Sequence, residues 1–302
     1  MKKILAILLA TLALSAQAKE NITIIYGWNP SDVAANFHRT LAAEANKQQD
    51  KYNFIFDTKP GAGAAIAAMY VAKTPDTILA TSSAFWIRPN FFPNESHRID
   101  DFRELMPQCD APLTLVSAKY KSFSEVPKDK SLTVAVSGLG ITTHLVATEV
   151  AKKYPNMTVI PFKSTADSVI SVLADQTDFG VNFVGDSEQY TLPSSKTKLY
   201  MLGVTGTQPV LGAKTFASQG LDRTTESLNA PAHLVVPVTW SEAKFKEVRA
   251  ILVKAGRTQA VLDSYKPDHC QSLNQMSDDQ IQGWFNAQNV RWKRIASGIT
   301  LK

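Results

Sequence analysis

Short runs rich in β-branched and aromatic residues alternate along this chain with longer stretches whose apolar positions return every three or four residues. Runs at 22–26, 53–56 and 77–80 read as strands, and the stretches at 33–46 and 64–73 between them read as helices. The alternation resumes with strands at 132–136, 158–160, 179–183 and 200–204, around helices at 143–153 and 166–174. Val169, Val172 and Leu173 fall at helical spacing, whereas Thr133, Val134, Ala135 and Val136 read as one buried strand. Strands separated by helices in this way predict mainly parallel sheets with crossover helices.

Between these two blocks, residues 91–130 are richer in Pro and charge and hold one strand candidate, 113–117. The chain is expected to cross from one lobe to another near 106–112. After an apolar strand at 233–236, helices are predicted at 243–253 and 278–295, with the return crossing near 226–231. The expected architecture is therefore α/β and two-lobed, with residues 19–106 and 229–302 in lobe one and 107–228 in lobe two. No internal repeat or low-complexity tract interrupts it.

The first residues change the picture of where the protein works. Lys2 and Lys3 precede an apolar run from Ile4, and Ala16, Gln17 and Ala18 supply a small-x-small cleavage pattern. Residues 1–18 are therefore expected to be a signal peptide cut before Lys19, because the run is shorter than the ~20 residues of a membrane span. The remainder is expected to be a periplasmic monomer. With 44% hydrophobic and 20% charged residues it has the composition of a folded globular protein, long enough for about two domains. The formal charge of +5 includes the two leader lysines, and the rest is scattered. Arg291, Lys293 and Arg294 beside Trp292 read as the solvated face of a terminal helix, so no nucleic-acid partner is expected. Cys109 and Cys270 are the only cysteines. In an oxidising compartment they either pair or remain two buried thiols, and pairing across the base of lobe one is expected only if their α-carbons come within bonding range.

Several chemistries are excluded. The chain lacks GxSxG, HExxH, CxxC and Walker A motifs, and its five histidines are not spaced as metal ligands, so no catalytic residue, metal or cofactor is expected. What it has is a set of strand-to-helix turns rich in Gly, Ser and Thr: Trp28, Asn29 and Ser31; Gly61 and Gly63; Ser82 and Ser83; and Ser137, Gly138, Thr142 and Thr143. At such turns a helix presents unpaired N–H groups and the positive end of its dipole, which suits a carboxylate. GAGAAI and GLGITT approach the dinucleotide fingerprint, but Ile66 and Thr143 stand at the third glycine and no acidic residue ends the next strand.

These same turns carry a resemblance. DTKPGAGAAIAAMYVAKTPDTILATSSA, SGLGITTHLVATEV, VIPFKSTADSVISVLADQTDFGV and LGVTGTQPV, with the tryptophan-bearing last helix, are similar in order and content to tripartite tricarboxylate transporter receptors, the Bug receptors. The resemblance implies a periplasmic binding protein fold of the type II kind, a small carboxylate ligand in the interlobe cleft and integral-membrane transporter subunits as partners. By it, Ser82 and Ser83 from lobe one and Ser137, Thr142, Thr143, Lys163 and Thr165 from lobe two face the ligand, with Phe183 nearby and His144 kept for the start of its helix. The first loop departs from the family: Asn29, Pro30, Ser31 and Asp32 stand where Pro-Gly-Gly precedes an aspartate, and Ala35 occupies the place aligned with that acid. Phe85, Trp86 and Arg88 add bulk near the third turn, implying an altered pocket. Two alternatives use the same residues: a sensory domain for a membrane signalling partner, and an exported hydrolase using Ser137 or Ser82 with His144 as base, for which no third member or nucleophile elbow exists.

Overall fold

A computed structural model describes residues 18–301, so the expected leader falls, but for Ala18, outside the described residues. Two sheets organise the chain. The first runs in the order β11-β4-β10-β3-β1-β2, from β1 (Glu20–Tyr26), β2 (Tyr52–Thr58), β3 (Thr77–Thr81), β4 (Phe102–Ala111), β10 (Ala230–Pro237) and β11 (Gln271–Ser272). The second runs β7-β6-β8-β5-β9, from β5 (Leu113–Ser117), β6 (Leu132–Val136), β7 (Met157–Pro161), β8 (Phe179–Phe183) and β9 (Tyr200–Val204). β1 pairs in parallel with β2 and β3, and β6 with β7 and β8, as the alternating pattern predicts. Antiparallel pairs gather around β10 and β5, the strands next to the crossings, so each sheet is mixed.

Both faces of the first sheet are covered, because successive strand residues point opposite ways. Ile22, Ile24 and Tyr26 pack with Phe37 and Leu41 of helix α1 (Val33–Lys47) and with Val248 and Leu252 of α7 (Glu242–Gly256). Ile25 points the other way, to Ala67, Ala68 and Val71 of α2 (Ala65–Val71). A helix not legible in the sequence, α3 (Ala84–Phe91), follows β3. Second-lobe helices α4 (Thr142–Lys153), α5 (Thr165–Leu173) and α6 (Val184–Thr191) each begin just after a strand of the second sheet. After α8 (Gln259–Ser264), the last helix α9 (Asp278–Ser297) opens with a capping box between Ser277 and Gln280 and buries Phe285 and Trp292. Arg291 does not belong to a solvated face: it is partly buried, and its Nη2 donates to the Ser227 carbonyl at 2.6 Å.

β4 is the strand that the local pattern hid, because it carries Arg103 and Glu104. The fold buries Glu104 against His233 Nδ1 at 2.8 Å, so a charged residue sits inside a strand with its partner. β4 and β10 run side by side from Phe102↔Pro237 to Ala111↔Ala230. Pro112, which has no N–H to continue the ladder, then separates β4 from β5. The returning chain is tied beside it, since the Leu113 N–H donates to Thr205 Oγ1 and the Thr205 hydroxyl to Asn229 Oδ1. Cys109 and Cys270 are bonded, with α-carbons 5.5 Å apart, joining β4 to the segment that leads into β11. Among the described residues no helix is long and apolar enough to cross a membrane.

Candidate functional site

The turns at the strand ends of the two sheets face each other. A cavity of about 30 Å³ lies between them, lined from the first sheet's side by Tyr26, Trp28, Asp32, His38, Thr81 and Ser82. Ser137, Ile141, Thr142, Thr143, Thr165 and Phe183 line it from the other. That volume holds about one or two waters and is far below the ~300–1,000 Å³ of a small-molecule pocket. The turns of the two sheets touch here, through the hydroxyls of Ser83 and Thr142 and through the close approach of Gly63 and Gly138.

Each hydroxyl has a reason for its place. Thr81 ends β3, and Ser83 is fully buried at the start of α3, where its hydroxyl meets that of Thr142 from the opposite lobe. Thr142 and Thr143 open α4, and Thr143 Oγ1 lies 3.2 Å from both the amide nitrogen and the hydroxyl of Ser137. Ser164 caps α5 by accepting from the Asp167 N–H at 3.0 Å. His144 Nδ1 accepts from the Gly140 N–H at 3.0 Å, so it braces the turn before α4.

Two glycines let the lobes meet. A Cβ on Gly138 would come 3.0 Å from Gly63 Cα, and one on Gly63 would come 2.6 Å from Ile141 Cγ2. Both have positive φ, +127° and +57°, so any side chain there would be strained as well as crowded. Beside this seam runs an open groove of about 540 Å³ lined by Gly61, Arg88, Gly138 and Lys163 among others. Arg88 bridges it, donating from Nη1 to the Leu139 carbonyl at 2.7 Å.

Of the residues singled out in the sequence, Trp28, Ser82, Ser137, Thr142, Thr143, Thr165 and Phe183 line the cavity, while Gly61, Gly138 and Lys163 line the groove. Ser83 and Gly63 lie at the lobe contact itself. Asn29, Ser31 and Trp86 line neither. Asn29 Oδ1 accepts from the Ser31 N–H at 3.2 Å within the exposed first turn. Trp86 is fully buried and stacks on His233 at 4.2 Å, because α3 turns its large side chains inward toward α9.

The sequence reading missed the acids. Asp32, not position 35, supplies the carboxyl of the first loop. It is buried at the N-cap of α1 and lines the cavity, whereas Ala35 sits in the core. A helix-start aspartate just before an apolar periodic stretch was the available signal. Asp32 Oδ1 accepts from the Ala166 N–H of α5 at 3.2 Å, and Oδ2 from the Tyr26 hydroxyl at 3.3 Å. Asp186 Oδ1 accepts from the Val33 N–H at the start of α1 at 3.0 Å. Burial, with the neighbouring Asp186 charge, pushes the Asp32 carboxyl up to about 8. Burial pulls the His38 imidazole down to about 3, so that ring is neutral. Lys and Arg do not occur among the residues lining the cavity, which is rich in hydroxyls and helix starts.

A family model described as the tripartite tricarboxylate transporter family receptor matches residues 37–300. Among solved structures, the periplasmic binding protein BugD superposes with a TM-score of 0.80 at 19% identity, over 92% of this chain and 97% of its own. MatC from Rhodopseudomonas palustris, with bound malate, superposes at 0.79 with 17% identity, over 92% and 99%. A second R. palustris protein, with adipate, gives 0.77 and 17% over 94% and 98%. At these identities the likeness shows the fold. A comparison with curated proteins finds no match.

Proposed function

This chain belongs to the tripartite tricarboxylate transporter receptor family, and from that premise we propose that it captures a small carboxylate in the periplasm, between its lobes, and delivers it to integral-membrane transporter subunits. The family is one of receptors, and the protein is a binding protein rather than an enzyme. The observation that carries the ligand reading is the convergence of Thr81, Ser82 and Ser83 from one lobe with Ser137, Thr142, Thr143 and the start of α5 from the other. A carboxylate that loses its water on entering a cleft needs donors in return, and hydroxyls with helix-start amides supply them from both sides once the cleft shuts. The ligand's carboxylate then docks between the 81–83 and 137–143 turns. Malate and adipate, bound by proteins of the same fold, are the first candidates to test. In this reading the expected lobes, residues 19–106 and 229–302 against 107–228, move apart in a monomer, with the first boundary shifted to Pro112 because β4 keeps 107–111 in the first sheet.

A thermal-shift panel of mono-, di- and tricarboxylates tests the proposal. A ligand that binds only the folded protein stabilises it by about 2.7 kcal/mol at 100 times its Kd. A clear rise in Tm with at least one carboxylate is the expected result. A flat response to the whole panel, alongside a rise with uncharged or cationic solutes, would overturn the ligand class.

A further inference from the structure

Three carboxylates cross the seam between the lobes, and each ends on the first turn of a helix. Asp32 from the first loop meets the Ala166 N–H of α5 at 3.2 Å, and Asp186 of α6 returns the contact to the Val33 N–H of α1 at 3.0 Å. Asp268, just before β11, meets the Gly185 N–H of α6 at 2.9 Å. All three are buried. Each helix start accounts for one oxygen of its carboxylate. The second oxygens of Asp186 and Asp268 are buried with no hydrogen-bond partner. Buried oxygens left in that condition are costly unless one carries a proton.

The groups around them do not balance three charges. Tyr26 donates its hydroxyl to Asp32, and the Ser164 and Thr165 hydroxyls at the start of α5 lie beside Asp32 and Asp186 respectively, where they offset part of the effect of burial. Glu188 of α6 adds a further negative charge beside Asp268 and is itself 3.4 Å from His269 Nε2. His38, one turn into α1, is held neutral by burial, and Arg39 turns outward to the Pro30 carbonyl. Among the described residues no group of three or more such side chains is placed to hold a metal ion.

We propose that Asp32, Asp186 and Asp268 form a proton-binding site at the seam, filled as the lobes close and emptied as they part. The inference rests on the two-lobed receptor reading above. Like charges this close and this buried do not all ionise. Burial accordingly raises all three carboxyls, and the Asp186 charge beside them adds to it at Asp32, which reaches about 8, and at Asp268, which lies well above its ordinary range. When the lobes part, the same carboxyls face water and return to about 4. A group whose affinity for protons is higher in the closed state favours closure fully below its open-state value and loses that contribution as pH rises through its closed-state value. Between those limits the closing equilibrium falls about tenfold per pH unit for each proton taken up. Ligand capture, which requires closure, is then proton-linked. A carboxylate ligand also meets a protonated Asp32, able to donate, in place of a repelling charge.

Carbon-detected NMR of the receptor labelled with ¹³C at the aspartate carboxyls, from pH 4 to pH 10, decides the matter, with small-angle scattering over the same range. The expected result is at least one of the three carboxyls still protonated at pH 7, titrating in the alkaline range while the radius of gyration rises in step. Asp186→Asn should return the Asp32 titration toward the ordinary carboxylate range. Titration of every aspartate below pH 5, or an alkaline titration with unchanged dimensions, would overturn the site. So would an Asp32 titration untouched by Asp186→Asn. If that variant does not fold, the wild-type titration and scattering decide alone. No carboxylate ligand enters the experiment, so its failure is separate from failure of the ligand panel.

Discussion

The hydroxyls of Ser83 and Thr142 meet across the seam, one from the start of α3 and the other from the start of α4. Each is buried, so each spends its hydrogen bond on the other while the lobes are shut. In the proposed reading, a ligand carboxylate entering between the two turns replaces one hydroxyl as partner for the other. Thr142→Val keeps the shape and removes the donor. It should weaken carboxylate binding by about 1–2 kcal/mol, a roughly ten-fold rise in Kd. Calorimetry with a ligand from the panel measures it, and if Thr142→Val and Ser83→Ala both bind like wild type, the docking site lies elsewhere.

Glu104 of β4 and His233 of β10 form a buried pair, and Trp86 stacks on the same imidazole. Removing one member leaves the other buried without its partner. Glu104→Ala should therefore lower unfolding free energy by about 3–5 kcal/mol, with Glu104→Gln costing less because it retains an acceptor. Urea unfolding at neutral pH distinguishes the two. Equal, small losses would show that the pair contributes little to the fold.

Burial holds His97 down to about 4, and its Nε2 lies 3.0 Å from the Phe85 carbonyl oxygen. The unfolded chain takes up that proton at about 6.5. A depressed histidine thus leaves stability intact above pH 6.5 and erodes it as pH falls from there to about 4, where the folded ring also protonates. His97→Gln retains a donor toward Phe85 and removes the titration. The difference in unfolding free energy between wild type and variant should change by about 1.4 kcal/mol per pH unit within that window. The aspartate trio acts with the opposite sign, which is why the comparison is made against the variant and not against pH alone. A constant difference from pH 7 to pH 5 would refute the assignment.

The Cys109–Cys270 bond closes a loop with a sequence separation of 161. Replacing both cysteines by alanine should cost about 2–4 kcal/mol, chiefly by freeing the unfolded chain. Denaturant unfolding of the double variant measures the loss. Mass spectrometry after alkylation without reductant should find no free thiol in the wild type.

Much of the architecture is written locally. Strand and helix periodicities need only a few neighbouring residues, so the parallel cores β1-β2-β3 and β6-β7-β8 and the turns that face each other were legible in the chain. Seven of the residues expected to face a ligand line the cavity, and five of them, Ser82, Ser137, Thr142, Thr143 and Thr165, were legible because Ser and Thr after a strand mark a helix start. Position 86 misled for the same reason: the sequence announces a tryptophan near the third turn but not the face of α3 that carries it into the core. What only the tertiary structure decided are the long-range pairings of polar groups. Asp186 meets Val33 across 153 positions, Asp32 meets Ala166 across 134, and Glu104 meets His233 across 129. A buried charge is tolerated only where a distant partner, a helix start or a proton compensates it. That compensation exists only once β4 lies beside β10 and the strand ends of the two sheets meet, and no periodicity along the chain encodes it.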